Sequence, residues 1–561
     1  MTNSQFRVLF RVFLLRIVDL EIVAADGDSV KLLGQFAALF AAISLLFSLP
    51  LIVMGQSSPE FSRETAHFLI ATTMLVVGLL SVLNWDAVVP DRVDALVLSP
   101  LPVNLRIIFL AKLSALACLL GFAVLALNVF SGLLWPLYFA SSANPVALIR
   151  SFAAYWIVML LASCFMFFFV LTLRGLATQL LPYQLFLRVS AWIQMTAICV
   201  FLGGYILEPS LESPLALASP ASQKMLEYLP SYWFWGLFQQ IKGSGGTGGP
   251  MPAIYVWLGG RAWIALAITA VGAAAMWMLS YRRSFRKIIE EPSIVSGRPW
   301  LRAPTLPCDS LSIGITMFCF YTLTRSRFHR VILSFYLGAG LALVLVYIHV
   351  LSLLNPASPV TARVNSTYLG ASILMMSLVI AGVRILAGIP ITLQANWTFR
   401  TAAICAPIAY LRATRTAMLL PTVLPVWLVS GAFFFLLWPW RLALAHQVVL
   451  LFLGMILIEL SLHRFHKIPF TCSYMPGKGN LQFVFWAFAL ILLPLINTAA
   501  RFEFGLLDRP IALCLAVTFL ALILVCARTY NRFAAKDLKE ILFDEVLEPE
   551  IVGLHLDRSP S

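Results

Sequence analysis

The sequence predicts an all-α, polytopic helical membrane protein of about 12 transmembrane helices in two parallel six-helix repeats. Four observations predict it. The chain has 561 residues, of which 61% are hydrophobic and only 11% charged. Apolar runs of roughly 18 or more residues recur throughout, each long enough to cross a hydrocarbon core of about 30 Å. Most of the Lys and Arg fall in alternate loops, as the positive-inside rule requires. Finally, two polar inserts echo each other. One is LNWDAVVPDRVDALVLSPLPVNLRIIFLAK, Leu83 to Lys112, and the other is ANWTFRTAAICAPIAYLRATR, Ala395 to Arg415. Both have Asn-Trp near the start, then an Arg (Arg92, Arg400), an apolar step into Pro (Pro100, Pro407) and a basic re-entry.

The short alternating segments of a β-barrel are absent. The net charge of +14 belongs to membrane orientation and not to nucleic acid, because no basic stretch is interleaved with aromatics on a soluble domain. The nine cysteines are Cys118, Cys164, Cys199, Cys308, Cys319, Cys405, Cys472, Cys514 and Cys526. None of them pairs at metal-ligand spacing, and no disulfide is expected. The first apolar segment is broken by Arg7, Arg11 and Arg16, unlike a cleavable signal, so the N-terminus is expected to be retained.

Residues 1–31 are read as an amphipathic helix in the inner interface, with Arg every four or five positions among Phe, Leu and Val. The first six-span unit covers 32–280. Its spans are Leu32–Met54, Thr65–Leu83, Ile107–Leu134, Phe152–Leu173, Val189–Leu207 and Ala262–Leu279. Arg174 to Arg188 form a loop. The connection Glu208 to Gly260 carries SYWFWGLFQQ, suited to short helices at the outer interface, and a flexible glycine run. Residues 281–330 are a cytoplasmic linker ending in a second interfacial helix. The second unit covers 331–527, with spans Val331–Leu353, Leu369–Ile389, Ala417–Leu437 (bent by Pro421 and Pro425), Gln447–Leu462, Leu481–Leu495 and Pro510–Cys526. Residues 528–561 form a cytoplasmic tail. Both termini are expected inside the inner (cell) membrane.

The chain shows no phosphate-cradling loop: MPGKGN lacks the upstream Gly and the following Ser or Thr. GxSxG and HExxH are also absent, and His463 and His466 read as a basic loop rather than as metal ligands. Ionisable residues inside spans default to functional hypotheses. Glu459 is the clearest, and its spacing to His463 and Arg464 reads as a structural pair at the membrane boundary. Arg384 is placed to snorkel, and Asn128 and Gln194 to bond between helices. In the first insert, Val93, Leu96 and Leu98 sit among acids before Pro100 and Pro102 stop the helix. A short helix of this kind suits a partner's groove or, as readily, a bed of lipid headgroups.

Taken in order, Gln5 to Lys31, Asp91 to Val103 and Glu208 to Gly260 resemble the membrane permease of ABC transporters of the type-2 exporter class. Units of that class open with an interfacial connecting helix. They carry a cytoplasmic coupling helix between their second and third spans, and short re-entrant helices between the fifth and sixth. The stretch DRVDALVLSPLPVNLRIIFLAK looks like the family's pattern of an acidic, arginine-bearing helix before a small-Pro step. The second half departs from it. Its insert lacks the acids, and the outer loop NTAARFEFGLLDR is too short for a re-entrant pair. By this resemblance the chain is a fused pair of permease units and not itself an enzyme. It would couple to a separate cytoplasmic ABC-type ATPase, a dimer supplying ATP and Mg. The coupling positions would be Asp91, Arg92, Asp94, Leu98, Ser99, Pro100, Leu101 and Pro102, with Arg400, Pro407, Ile408 and Tyr410. The loops Arg174 to Arg188 and His463 to Asn480 would hold further cytoplasmic contacts. A secondary transporter and a membrane enzyme acting on lipid-linked substrates remain as alternatives. The first lacks clustered buried acids in the sequence, and the second lacks an interfacial cluster of acids or histidines.

Overall fold

A computed structural model describes residues 2–18, 29–54, 59–85, 104–140, 145–207, 228–243, 253–290, 310–354, 365–389, 407–463, 469–471 and 481–536. The described residues form helices and connections, with no strand among them. In lipid a helix satisfies every backbone amide within its own segment, so apolar runs of this length settle as helices. Contacts divide the chain into Met1–Arg298 and Pro299–Ser561.

The first unit holds α1 (Thr2–Val18), α2 (Ser29–Met54), α3 (Pro59–Leu83), α4 (Leu105–Asn128), α5 (Ser131–Phe139), α6 (Pro145–Leu180), α7 (Tyr183–Leu207), α8 (Pro230–Lys242) and α9 (Ala253–Glu290). The second holds α10 (Ser310–Arg325), α11 (Arg327–Leu354), α12 (Ser366–Leu386), α13 (Pro407–Leu437), α14 (Trp440–Ser461), α15 (Leu481–Leu507) and α16 (Pro510–Lys536). Five of these helices, α3, α6, α8, α13 and α16, begin on proline. There the missing N–H costs nothing and the fixed φ already suits a helix. Asn365 caps α12 by accepting from the Thr367 N–H at 3.0 Å. α8 ends at Gly243, whose φ of 79° favours glycine.

Among the described residues, eight stretches are long and apolar enough to cross a membrane: Glu64–Leu83, Arg106–Asn128, Pro145–Leu180, Ala253–Leu279, Ser366–Leu386, Tyr410–Leu437, Trp440–Ser461 and Pro510–Ala534. The interfacial segments expected at each unit's start are helical, as α1 and α10. Phe13 of α1 packs with Ile108, Ala111 and Ala115 of α4, and the Lys112 ammonium lies 5.0 Å from the Phe13 ring centre. α10 packs on α13. SYWFWGLFQQ falls within α8, which packs on α3, α6 and α9. In the first unit α3 also meets α6 and α7, and α6 meets α9. In the second, α12 meets α14 and α15, and α14 meets α16.

Three expected boundaries are corrected. The third span stops at Asn128 rather than Leu134, and the chain restarts as α5. The break is satisfied locally: Ser44 Oγ of α2 accepts the Phe130 and Ser131 amides at 3.1 and 3.0 Å. The fourth expected span lies in α6, which runs on to Leu180, so Arg174 is a buried helical residue and not the start of a loop. α15 runs on to Leu507, so most of NTAARFEFGLLDR is helix instead of outer loop. Hydropathy marks the apolar middle of a helix, whereas Arg, Gln and Glu continue the hydrogen-bonded spiral past it.

Close helix approach in the first unit uses glycine. A Cβ on Gly175 of α6 would collide with the Met276 side chain of α9, and one on Gly272 of α9 would stand 2.9 Å from Thr172 of α6. Small residues at such crossings let backbones approach, which is a main source of helix association in lipid.

Candidate functional site

The buried polar chemistry of the second unit gathers on α14, at its two ends. Roughly 20 Å of helix separates them, at about 1.5 Å per residue. Near the C-terminal end, Glu459 is 1% exposed. Arg415 of α13 bonds both carboxylate oxygens: its Nε pairs with Oε1 and its Nη2 donates to Oε2 at 3.0 Å. Arg528 of α16 donates from Nε to Oε1 at 3.3 Å. Asn531 Nδ2, one turn on, donates to Oε2 and to the Glu459 carbonyl, both at 2.9 Å. One carboxylate therefore ties three helices together, and its charge is matched by two guanidinium groups. A buried charge needs such pairing, because desolvation otherwise exceeds the Coulomb gain.

At the N-terminal end, His446 is fully buried. Its Nδ1 lies 2.7 Å from Glu503 Oε1 of α15, and its Nε2 lies 2.8 Å from Ser372 Oγ of α12. The Phe434 ring stands 4.6 Å from the imidazole centre and Trp438 stands 6.5 Å away, closing the apolar side. Ser372 also donates to the Leu369 carbonyl at 2.7 Å. Beside this group, Gln447 donates to Ser430 at 3.2 Å and its carbonyl accepts from Trp427 Nε1 at 2.9 Å.

The serine–imidazole–carboxylate chain has relay geometry, but its serine sits inside a regular helix. Backbone amides there are spent on the helix, so no pair of them is free to hold an oxyanion. The arrangement joins a hydroxyl, an imidazole and a carboxylate in one hydrogen-bonded row across α12, α14 and α15.

The positions singled out from sequence are placed as follows. Asp91, Arg92, Asp94, Leu98, Ser99, Pro100, Leu101, Pro102 and Arg400 lie outside the described residues. Pro407 and Ile408 open α13. Tyr410 is buried in the core with Ile315, Cys319 and Ala413. Glu459 takes Arg415, Arg528 and Asn531 as partners, because α13 and α16 bring their basic ends to it; Arg464, of the expected His463–Arg464 side, lies outside the described residues. His463 instead packs near Tyr530, with ring centres 5.6 Å apart. Arg384 does not simply snorkel: its Nε donates to the Ser461 carbonyl at the end of α14, at 2.8 Å. Asn128 of α4 does bridge helices, accepting from Tyr155 Oη of α6 at 2.7 Å and donating to Thr73 Oγ1 of α3 at 3.2 Å. Gln194 of α7 donates to the Val82 carbonyl of α3 at 3.3 Å. Trp85, at the head of the first insert, is buried with Val82, Val170 and Ile198.

The His446–Glu503 pair has no signal in the sequence, because Glu503 falls in the stretch expected as an outer loop and only the register between α14 and α15 joins the two residues. Two further contacts bear on charge outside the spans. His329 bonds Ser326 at 2.8 Å and the Ile389 carbonyl at 3.0 Å, and burial holds its pKa below the usual histidine value. Its ring meets Phe470 edge-on at 5.3 Å. Phe470 itself adopts a φ of 64° and donates to the Ala387 carbonyl at 2.8 Å. Lys242, over the Phe139 ring at 5.5 Å, is likewise shifted down by burial.

Among the described residues no group of three or more His, Cys, Asp or Glu could hold a metal ion. No family model, curated protein or solved structure matches this chain.

Proposed function

We propose that the chain is the membrane permease of an ATP-driven exporter, two six-span units fused in one polypeptide, working with a separate cytoplasmic ATPase dimer. The observation that carries the reading is the shared order of neighbours in the two units. α1 lies on α4 as α10 lies on α13. α3 takes α6 and α7 as α12 takes α14 and α15, and α6 takes α9 as α14 takes α16. A duplicated set of packed helices with an interfacial helix leading each set supports parallel repeats. In this reading α2, α7, α11 and α15 join the eight longer apolar stretches to make twelve spans, with both termini on the cytoplasmic side of the inner membrane. α8 is the re-entrant outer helix of the first unit. The inserts at Asp91–Val103 and Arg400–Tyr410 receive the ATPase, and closure of its dimer rocks the two units.

Co-purification tests this. The tagged chain from gently solubilised membranes is expected to bring down a soluble ATPase with a phosphate-binding loop. The variant with Asp91, Arg92 and Asp94 changed to Ala is expected to lose it. Failure of the wild type to retain any ATPase, under conditions that keep other complexes whole, overturns the reading.

The buried His446, Glu503 and Glu459 favour a second reading, a secondary transporter driven by an ion gradient. Transport that collapses when the proton or sodium gradient is dissipated, with ATP maintained, selects it over the first.

A further inference from the structure

We propose that Ser372, His446 and Glu503 form a proton-binding site, and that the structure holds it in its proton-loaded state. The inference goes beyond either reading above and holds whichever energy source drives the protein.

The hydrogen-bond arithmetic carries it. Ser372 has one hydroxyl proton, and we place it toward the Leu369 carbonyl, which lies 2.7 Å away and can only accept. Its oxygen can then only accept from His446 Nε2 at 2.8 Å, so Nε2 carries a proton. On the other side of the ring, Nδ1 and Glu503 Oε1 are 2.7 Å apart. Two bare acceptors at that distance repel, so a second proton lies between them. It sits on the imidazole as half of an ion pair, or on the carboxyl as half of a neutral pair. Either way the His446–Glu503 pair holds two protons and is neutral as a whole. Losing one leaves a net negative charge in a site where His446 is 0% and Glu503 5% exposed. An isolated charge is strongly disfavoured at such burial.

Among the described residues no other side chain hydrogen-bonds the pair to take up that charge. Glu503 Oε2 has no hydrogen-bond partner. α13 offers His446 the rings of Phe434 and Trp438, and α12 offers the neutral Ser372. α16 makes its polar contacts with α14 at the far end, through Arg528 and Asn531. On α15 the nearest cation in sequence is Arg501, an exposed residue whose field falls on Tyr347 of α11. Release of the proton would turn the Ser372 hydroxyl from Leu369 to the bared Nε2, and the resulting charge would favour opening between α14 and α15. The ligand is a single proton, exchanged at the end of α14 that the proposed orientation places outside.

The test is magnetic resonance of the full chain in lipid nanodiscs, with 15N-labelled histidine and 13C-labelled glutamate. The His446 signal is assigned by its loss in His446→Gln. Should that variant not fold, the ring's contact with the labelled Glu503 carboxyl assigns it. The expected result at neutral pH is a protonated Nε2 together with a second proton on either Nδ1 or the Glu503 carboxyl. Glu503→Gln is expected to lose the second proton and leave one ring nitrogen bare. Ser372→Ala is expected to keep both, and it stands in as the variant arm if Glu503→Gln does not fold. A bare Nε2 beside an ionised Glu503 in the wild type overturns the proposal. So does a Glu503→Gln protein that still carries a doubly protonated His446.

Discussion

In the first unit, several of the side chains that hydrogen-bond between helices are neutral: Asn128 between Thr73 and Tyr155, Gln194 on the Val82 carbonyl, Ser44 on the Phe130 and Ser131 amides. In the second they are ionisable: Arg415 and Arg528 on Glu459, and His446 on Glu503. Both arrangements remove unsatisfied groups from an apolar interior. They differ in what happens when a partner is lost. A neutral donor left alone costs its own desolvation, whereas an ion left alone carries a full charge into low dielectric. Those neutral bonds do not answer to a change in charge, whereas the Glu459 and His446–Glu503 groups do.

That contrast orders the expected effects. Glu459→Ala strands Arg415 with no counter-charge and should cost about 3–5 kcal/mol, read as a lower unfolding temperature of the purified full chain or as loss of the folded fraction. The corresponding change in the first unit, Asn128→Ala, leaves Tyr155 without its acceptor and should cost about 2 kcal/mol. If Asn128→Ala proves the more damaging of the two, the contrast between the units fails. Tyr155→Phe removes only one donor and should cost about 1 kcal/mol by the same measurement.

The smallest effect is pH-dependent. His329 has a folded pKa below its unfolded value. Its contribution to stability is therefore complete above about pH 6.5, the ordinary histidine value. It is lost as pH falls through the folded value, because the unfolded chain takes up the proton first. Melting followed across this window should decline toward acid in the wild type and decline less in His329→Asn. An unchanged slope would remove His329 from the account.

Some of this was legible in the sequence. The apolar runs and their charge bias gave the all-helical class, and the aromatic run SYWFWGLFQQ marked α8. The arginines and phenylalanines near the N-terminus marked α1. Glu459 stood out as an acid inside an apolar run. Its partners did not, because Arg415, Arg528 and Asn531 lie on other helices, and proximity depends on crossing angles and relative register. His446 and Glu503 were hidden for the same reason, and also because Glu503 lies beyond the apolar stretch that marks α15. A period of 3.6 locates the faces of a helix but not which neighbour meets each face.

The seating of α1 against α4 has a consequence for how the chain is made. α1 ends at Val18 and its partner begins at Leu105. At synthesis rates of about 5–20 residues per second, the first helix waits roughly five to twenty seconds before the surface that will cover Phe13 exists. Through that interval it must rest somewhere that accepts Phe and Arg together, and the lipid headgroup layer beside the translocation channel meets both needs. Assembly of the first unit is then a late capture: a helix parked early on the membrane surface is recruited once α4 has been inserted.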